Sequence, residues 1–169
     1  MKKLLSPGIV ALLLATSPFG GSALSSSQDR DVNEDVHARF IGAWRLASLE
    51  EPGADGTLHR ADCTGMLVFT REGRMSVQVM YTNPQAGTSG GPVQYAQGGY
   101  EASFGRYEVD ARSQQFSYHV EGALVRGLVG KDLTRRFDLS GLRLTVRPSS
   151  PNEHWSVVWE HIARPQEEP

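Results

Sequence analysis

The stretch GMLVFTREGRMSVQVMY, residues 65–81, sets two short apolar runs on either side of Arg71-Glu72-Gly73. In the second run Met75, Val77, Val79 and Tyr81 alternate with Ser76, Gln78 and Met80. A period of two sends the first set to one face of a strand and the second set to the other. Gly73 suits the left-handed position of a short hairpin loop. The stretch therefore predicts a hairpin, with strands over 65–70 and 74–81.

The same alternation recurs outward in both directions, punctuated by turn residues at the spacing of an all-β chain. Upstream, 41–50 reads as a strand, with Trp44 and Leu46 on one face and Arg45, Ala47 and Leu49 on the other. Pro52-Gly53 and Asp55-Gly56 turn the chain toward a short strand near 57–60. Downstream, strands are predicted over 99–109, 115–121, 133–139, 142–147 and 154–163. Tyr100, Ala102 and Phe104 share a face in the first of these, Phe116, Tyr118 and Val120 in the second, and Trp155, Val157 and Trp159 in the last. Residues 82–98 (TNPQAGTSGGPVQYAQG) form the one long connection, and connections of that length usually serve as lids or binding loops, or are disordered. Eight to nine sequential antiparallel strands expose two sheet edges unless they close. About eight strands close an up-and-down β-barrel whose interior holds side chains or one small ligand. The fold class predicted is all-β, a closed antiparallel barrel, and no βαβ spacing argues for a parallel sheet.

The chain has 169 residues, 17 Lys+Arg against 19 Asp+Glu, and one cysteine, Cys63. That composition excludes an intramolecular disulfide framework, a collagen or coiled-coil chain and a polybasic nucleic-acid binder. Residues 1–23 read as a cleavable export signal: Lys2 and Lys3, the apolar run IVALLLA over 9–15, and small residues at Gly21 and Ala23 before a cleavage after Ala23. The apolar run is well short of the roughly 20 residues of a spanning helix. Cleavage removes two lysines and no acid, taking the formal charge from −2 to −4. The expected compartment is periplasmic or extracellular, with no transmembrane span in the mature form. Residues 24–38 read as a polar linker ending in one helical turn near 33–39, residues 39–164 as the barrel, and 165–169 as a solvated tail.

The ordered set of motifs is similar to the lipocalin-like domain family of small bacterial and fungal proteins. Gly42-Ala43-Trp44 resembles the Gly-x-Trp signature of lipocalins. Phe40–Leu46, Gly65–Phe69 with Glu72–Gln78, Phe104-Gly105-Arg106-Tyr107, His119, Gly130, Arg135, Leu142–Val146 and Trp159-Glu160 fall in the family's order over about residues 38–163. The resemblance implies a calycin-type barrel with an internal cavity, and a floor where Gly42 and Trp44 meet a late-strand arginine. Two departures stand out. Leu124-Val125-Arg126 replaces a proline after the His119 strand, and Trp159-Glu160-His161 replaces Trp-Glu-Arg. Arg135 and Arg164 are the candidates to replace the missing floor arginine.

Candidate chemistry centres on His119 and Glu121, which leave one strand on the same face. Inward, they would form a coupled acid/base pair or a polar ligand anchor. Outward they would be a solvated pair, and the more apolar Phe116–Tyr118–Val120 face argues for that orientation. Tyr100, Phe104, Tyr107, Arg135 and Trp159 are the further ligand-binding candidates, with Arg106 and Glu160 beside them; the bland alternative is that such residues rim the barrel. The five histidines, at 37, 59, 119, 154 and 161, show no metal-ligand spacing. No serine-hydrolase, Walker or dinucleotide motif is present, and no cofactor is expected. Cys63 reads as a small half-buried residue. The leading expectation is a binding module for a small apolar or amphipathic molecule. A cofactor-free isomerase or cyclase, with His119 as base and Tyr107 or Arg135 stabilising charge, is the catalytic alternative. A filled barrel acting as a protein-interaction module is the third.

Overall fold

The computed structural model describes residues 22–53, 55–83 and 99–162. Nine strands follow one helix among them: α1 (Ser22–Phe40), β1 (Gly42–Pro52), β2 (Leu58–Arg60), β3 (Cys63–Phe69), β4 (Arg74–Tyr81), β5 (Tyr100–Asp110), β6 (Gln115–Ala123), β7 (Asp132–Ser140), β8 (Arg143–Pro148) and β9 (Ser156–His161). Each of β3 to β9 pairs antiparallel with its sequence neighbour, and β1 pairs with both β3 and β9. Eight strands therefore close on themselves, which removes the edges an open meander would leave. β2 stands outside this ring and pairs with the far end of β1 through Glu50↔Arg60 and Pro52↔Leu58.

Two bulges set which residues face inward. In β1 the pairing with β9 runs Leu46↔Trp159 and then Ser48↔Val158, so Ala47 is an extra residue. Trp44, Leu46 and Leu49 consequently all face the interior, where strict alternation sends Leu49 outward. In β6 the pairing runs Val120↔Gly105 and then Gly122↔Phe104, leaving Glu121 as the extra residue.

One end of the barrel is filled by aromatic rings. Phe40, at the C-terminal end of α1, is fully buried among Phe69 (5.0 Å between centroids), Phe137 (5.0 Å), Phe116 (5.9 Å) and Tyr107 (6.3 Å). The Trp44 indole Nε1 donates to the Phe40 carbonyl at 2.9 Å, tying the helix end to β1. Earlier in the helix the Asn33 side chain accepts from the Ala111 amide (2.7 Å), and Arg39 donates to the Leu139 carbonyl (3.1 Å).

The helix corrects the reading of 24–38 as a linker with one helical turn. No Gly or Pro interrupts 22–40, the Arg30/Glu34 and Asp35/Arg39 spacings place opposite charges one turn apart, and His37 and Arg39 occupy the last turn. Its only sizeable apolar residues after residue 29 are Val32, Val36 and Phe40, too sparse a stripe to register as helical periodicity. The tertiary seat of Phe40 supplies the stabilisation that the polar face does not. The long connection over 82–98 falls mostly, and the tail over 165–169 wholly, outside the described residues. No helix among the described residues is long and apolar enough to cross a membrane.

Candidate functional site

Among the described residues, the floor is built around Gly-x-Trp without an arginine. Trp44 is buried, and opposite it in the β1–β9 ladder lies His161, whose imidazole packs edge-on against the indole at 4.7 Å. His161 Nε2 also lies 3.3 Å from the Ile41 carbonyl. Gly42, at φ +136°, leaves the space this ring occupies, since a Cβ there would fall on the imidazole. The position opposite Trp44 is thus filled by histidine. Arg135, one of the two expected substitutes, is elsewhere, and Arg164 lies outside the described residues.

Above the aromatic floor lies an internal cavity of about 90 Å³. Its wall is mostly hydrocarbon and indole: Leu46, Leu67, Val79, Val157, Trp155 and Trp159 are representative. Polar groups gather on the β4–β7 side. Glu101, Ser103, Tyr118 and Arg135 all line the cavity. The Arg135 guanidinium sits over the Trp155 ring at 5.2 Å and donates to the Thr134 carbonyl at 3.1 Å. At the wall, the Tyr81 hydroxyl donates to the buried Glu51 carboxylate at 3.2 Å. Ser103 and Tyr118 are each only 5% exposed, and the Tyr118 hydroxyl has no hydrogen-bond partner among the described residues.

Burial dominates the electrostatics of this wall. It pushes the Glu101 carboxyl up to about 7, against the pull of Arg135. Burial likewise pushes the Tyr118 phenol up to about 12, against the opposing hydrogen-bonding pull of the Ser103 side chain. The Tyr81 phenol is raised by burial first and by the Glu51 charge second. Cys63, half-buried at the start of β3, is pushed up to about 11 by burial and by Glu51 and Asp62, so its thiol stays protonated and unreactive at neutral pH.

The raised Glu101 predicts a pH effect on stability. Between the ordinary carboxyl value of 4.5 and about 7, the folded state keeps a proton that the unfolded chain has released. Stability contributed at this position therefore falls as pH rises through that window and levels off above it. In Glu101→Gln the melting temperature should gain on wild type from pH 4.5 to 7 and hold a constant lead at higher pH. A lead independent of pH would mean that Glu101 is solvated like a surface carboxylate.

Of the expected ligand-binding residues, Arg135 and Trp159 line the cavity. Tyr107 faces inward but belongs to the packed floor: its hydroxyl donates to the Thr70 carbonyl at 3.0 Å and lies 3.1 Å from His37 Nε2. Tyr100 and Phe104 face outward. Tyr100 donates to Gln78 at 3.3 Å, and Phe104, 56% exposed, lies across Gly122.

His119 and Glu121 are also on the outer face. His119 Nδ1 pairs with Asp132 at 2.8 Å, and Glu121 pairs with Arg106 at 3.0 Å and with Arg74. His119 and Glu121 thus take the outward of the two orientations, in a row of surface ion pairs that each contribute little to stability. His119, Tyr107 and Arg135 do not all converge on one space: His119 and Tyr107 both border one outer groove, with the Tyr107 hydroxyl held by the Thr70 carbonyl, while Arg135 is in the cavity wall. Glu101, Ser103 and Tyr118 are the site residues that the alternation did not select. Tyr118 was visible as part of the apolar face of β6, but Glu101 and Ser103 sit on the less apolar face of β5.

A closed eight-stranded meander with an internal cavity above an aromatic floor is an up-and-down β-barrel. The lipocalin-like domain family model matches residues 41–163, and the chain belongs to that family. Among solved structures it is similar to a lipocalin-like protein from Bacteroides uniformis, at 17% identity over 73% of this chain and 99% of that one, with a TM-score of 0.45. It is also similar to an uncharacterized protein from Bacteroides eggerthii, at 13% identity, 73% and 99% coverage and a TM-score of 0.43. It resembles a redesigned β-barrel at 9% identity, 75% and 95% coverage and a TM-score of 0.42. Nothing among curated proteins matches the chain.

Proposed function

We propose that the protein is exported, processed after Ala23, and holds a small apolar or amphipathic molecule inside its barrel, in the periplasm or outside the cell. The observation that carries this reading is the composition of the cavity: a hydrocarbon and indole wall interrupted on one side by Glu101, Ser103, Tyr118 and Arg135. That division suits a molecule with an apolar body and one polar group. At about 90 Å³ the space is below the roughly 300–1,000 Å³ of sites for drug-sized ligands, so the ligand is small or slender.

Native mass spectrometry of protein purified without detergent from an exporting host tests both halves. The expected spectrum shows a chain beginning at Leu24 with an added mass that leaves on organic extraction. A clean mass, with no saturable uptake of an apolar fluorescent probe or of a mixed lipid extract, would overturn the ligand reading.

The second reading, a filled barrel that presents a protein-interaction face, draws on the same small volume. It also draws on the exposed side chains of Phe104, Leu124 and Val129 around one outer groove. A partner that binds the wild type and is lost with Phe104→Ser, in a protein that takes up no small molecule, is the result that would favour it.

A further inference from the structure

We infer that Tyr118 and Ser103 form a hydrogen-bonding subsite for the carbonyl oxygen of a small neutral ligand: a ketone, an aldehyde or an ester. The inference rests on the lumen-binding reading above and specifies the group that reading leaves open.

Tyr118 lies on β6 and Ser103 on the neighbouring β5, both facing the cavity and both almost fully buried. The Ser103 hydroxyl acts on the Tyr118 phenol as a donor that favours its charged form, while the phenol oxygen has no hydrogen-bond partner of full geometry among the described residues, which leaves the phenol's own proton without an acceptor. A buried hydroxyl with no acceptor destabilises a folded protein, so such a group in a cavity wall is matched to an acceptor that a ligand brings. Burial keeps the phenol protonated throughout the neutral range, which makes it a donor there.

The charge around it selects a neutral acceptor. Glu101 lies two residues before Ser103 on the same face of β5, and Arg135 enters the same cavity from β7. Above about pH 7, where Glu101 is ionised, one acid and one base leave no surplus charge to balance an ionised head group, and the surrounding wall solvates charge poorly. The skeleton is limited to a slender hydrocarbon by the volume and by Leu46, Leu67, Val79 and Val157.

The test uses 2-heptanone and its methylidene isostere 2-methyl-1-heptene, which share a shape and differ in the acceptor. Binding is read from the fluorescence of the cavity tryptophans Trp155 and Trp159. The carbonyl stretch of 13C-labelled 2-heptanone is read by infrared spectroscopy. Wild type is expected to take up both probes and to shift the bound carbonyl to lower frequency. Tyr118→Phe should weaken the ketone about tenfold, leave the alkene within about twofold, and move the carbonyl stretch most of the way back toward its position in hydrocarbon solvent, the remainder being the Ser103 contribution. The variant removes an unpaired buried group, so its melting temperature should equal or exceed that of wild type, which separates lost recognition from lost folding. Ser103→Ala should produce a smaller loss in the same direction. Uptake of both probes with a ratio unmoved by Tyr118→Phe would overturn the subsite and leave the lumen reading standing. No uptake of either probe by wild type would overturn the two together.

Discussion

Phe40→Ala is expected to destabilise the protein by about 3–5 kcal/mol, measured as a shift of the urea unfolding midpoint at constant slope. Phe40 precedes the first strand of the closed ring, yet it is the centre of the floor. Its ring touches Phe69 from β3, Tyr107 from β5, Phe116 from β6 and Phe137 from β7, mostly edge to face. Those four are half of the eight strands of the ring, so closing the gap an alanine would leave requires several strands to move together. The cost therefore combines lost transfer energy with a cavity that stays open. A domain of this size has roughly 5–15 kcal/mol to lose, so the variant keeps only part of its margin. Val32→Ala, on the same helix but 54% exposed, should change stability by less than about 0.5 kcal/mol. A Phe40→Ala loss below about 1 kcal/mol would mean that the helix end does not seat in the barrel.

Phe40 also shows where sequence patterning reads well and where it goes blind. In β4 the alternation is enough: Met75, Val79 and Tyr81 are buried and Val77 lines the cavity, because that strand has one wet face and one apolar one. β9 behaves the same way, with Val157 and Trp159 buried after Trp155. The closing of the ring, the hairpin over 65–81 and the family motifs were all legible on such strands. In β5 the same rule misleads. Tyr100, Ala102 and Phe104 are the more apolar set, but the inward set is Glu101, Ser103, Gly105 and Tyr107. A polar binding wall inverts the contrast on which the alternation depends, so the part of the barrel that bears on function is the part that periodicity assigns to solvent. The bulges at Ala47 and Glu121 add a second source of error, since neither carries a composition signal and each shifts the facing of the residues after it. His119 illustrates the reverse. Its family resemblance marks a position, but its ion pair with Asp132 on the outer surface is a matter of register.

Gly105→Ala is expected to cost about 3 kcal/mol or more, or to prevent folding, although it adds a single methyl to a strand that tolerates side chains elsewhere. Gly105 pairs with Val120 next to the β6 bulge, where the extra residue Glu121 pushes the β6 backbone toward β5. A Cβ at this position would fall on the His119 carbonyl oxygen and reach 2.9 Å from the Glu121 amide. Both obstacles are backbone, so no rotamer relieves them, and the β5–β6 ladder must separate or change register. Either response disturbs the same stretch that presents Ser103 from β5 and Tyr118 from β6 to the cavity. The variant should therefore lose probe uptake at temperatures where it is still folded, whereas Phe40→Ala should keep uptake until it unfolds. Gly127→Ala supplies the control, since a Cβ there meets nothing within 4 Å and the residue lies in the single 3-10 turn between β6 and β7; its stability should stay within about 0.5 kcal/mol of wild type. Near-wild-type stability of Gly105→Ala would show that the two strands do not approach so closely at the bulge. The Ser103–Tyr118 wall would then have to be redrawn, because its geometry is set by that approach.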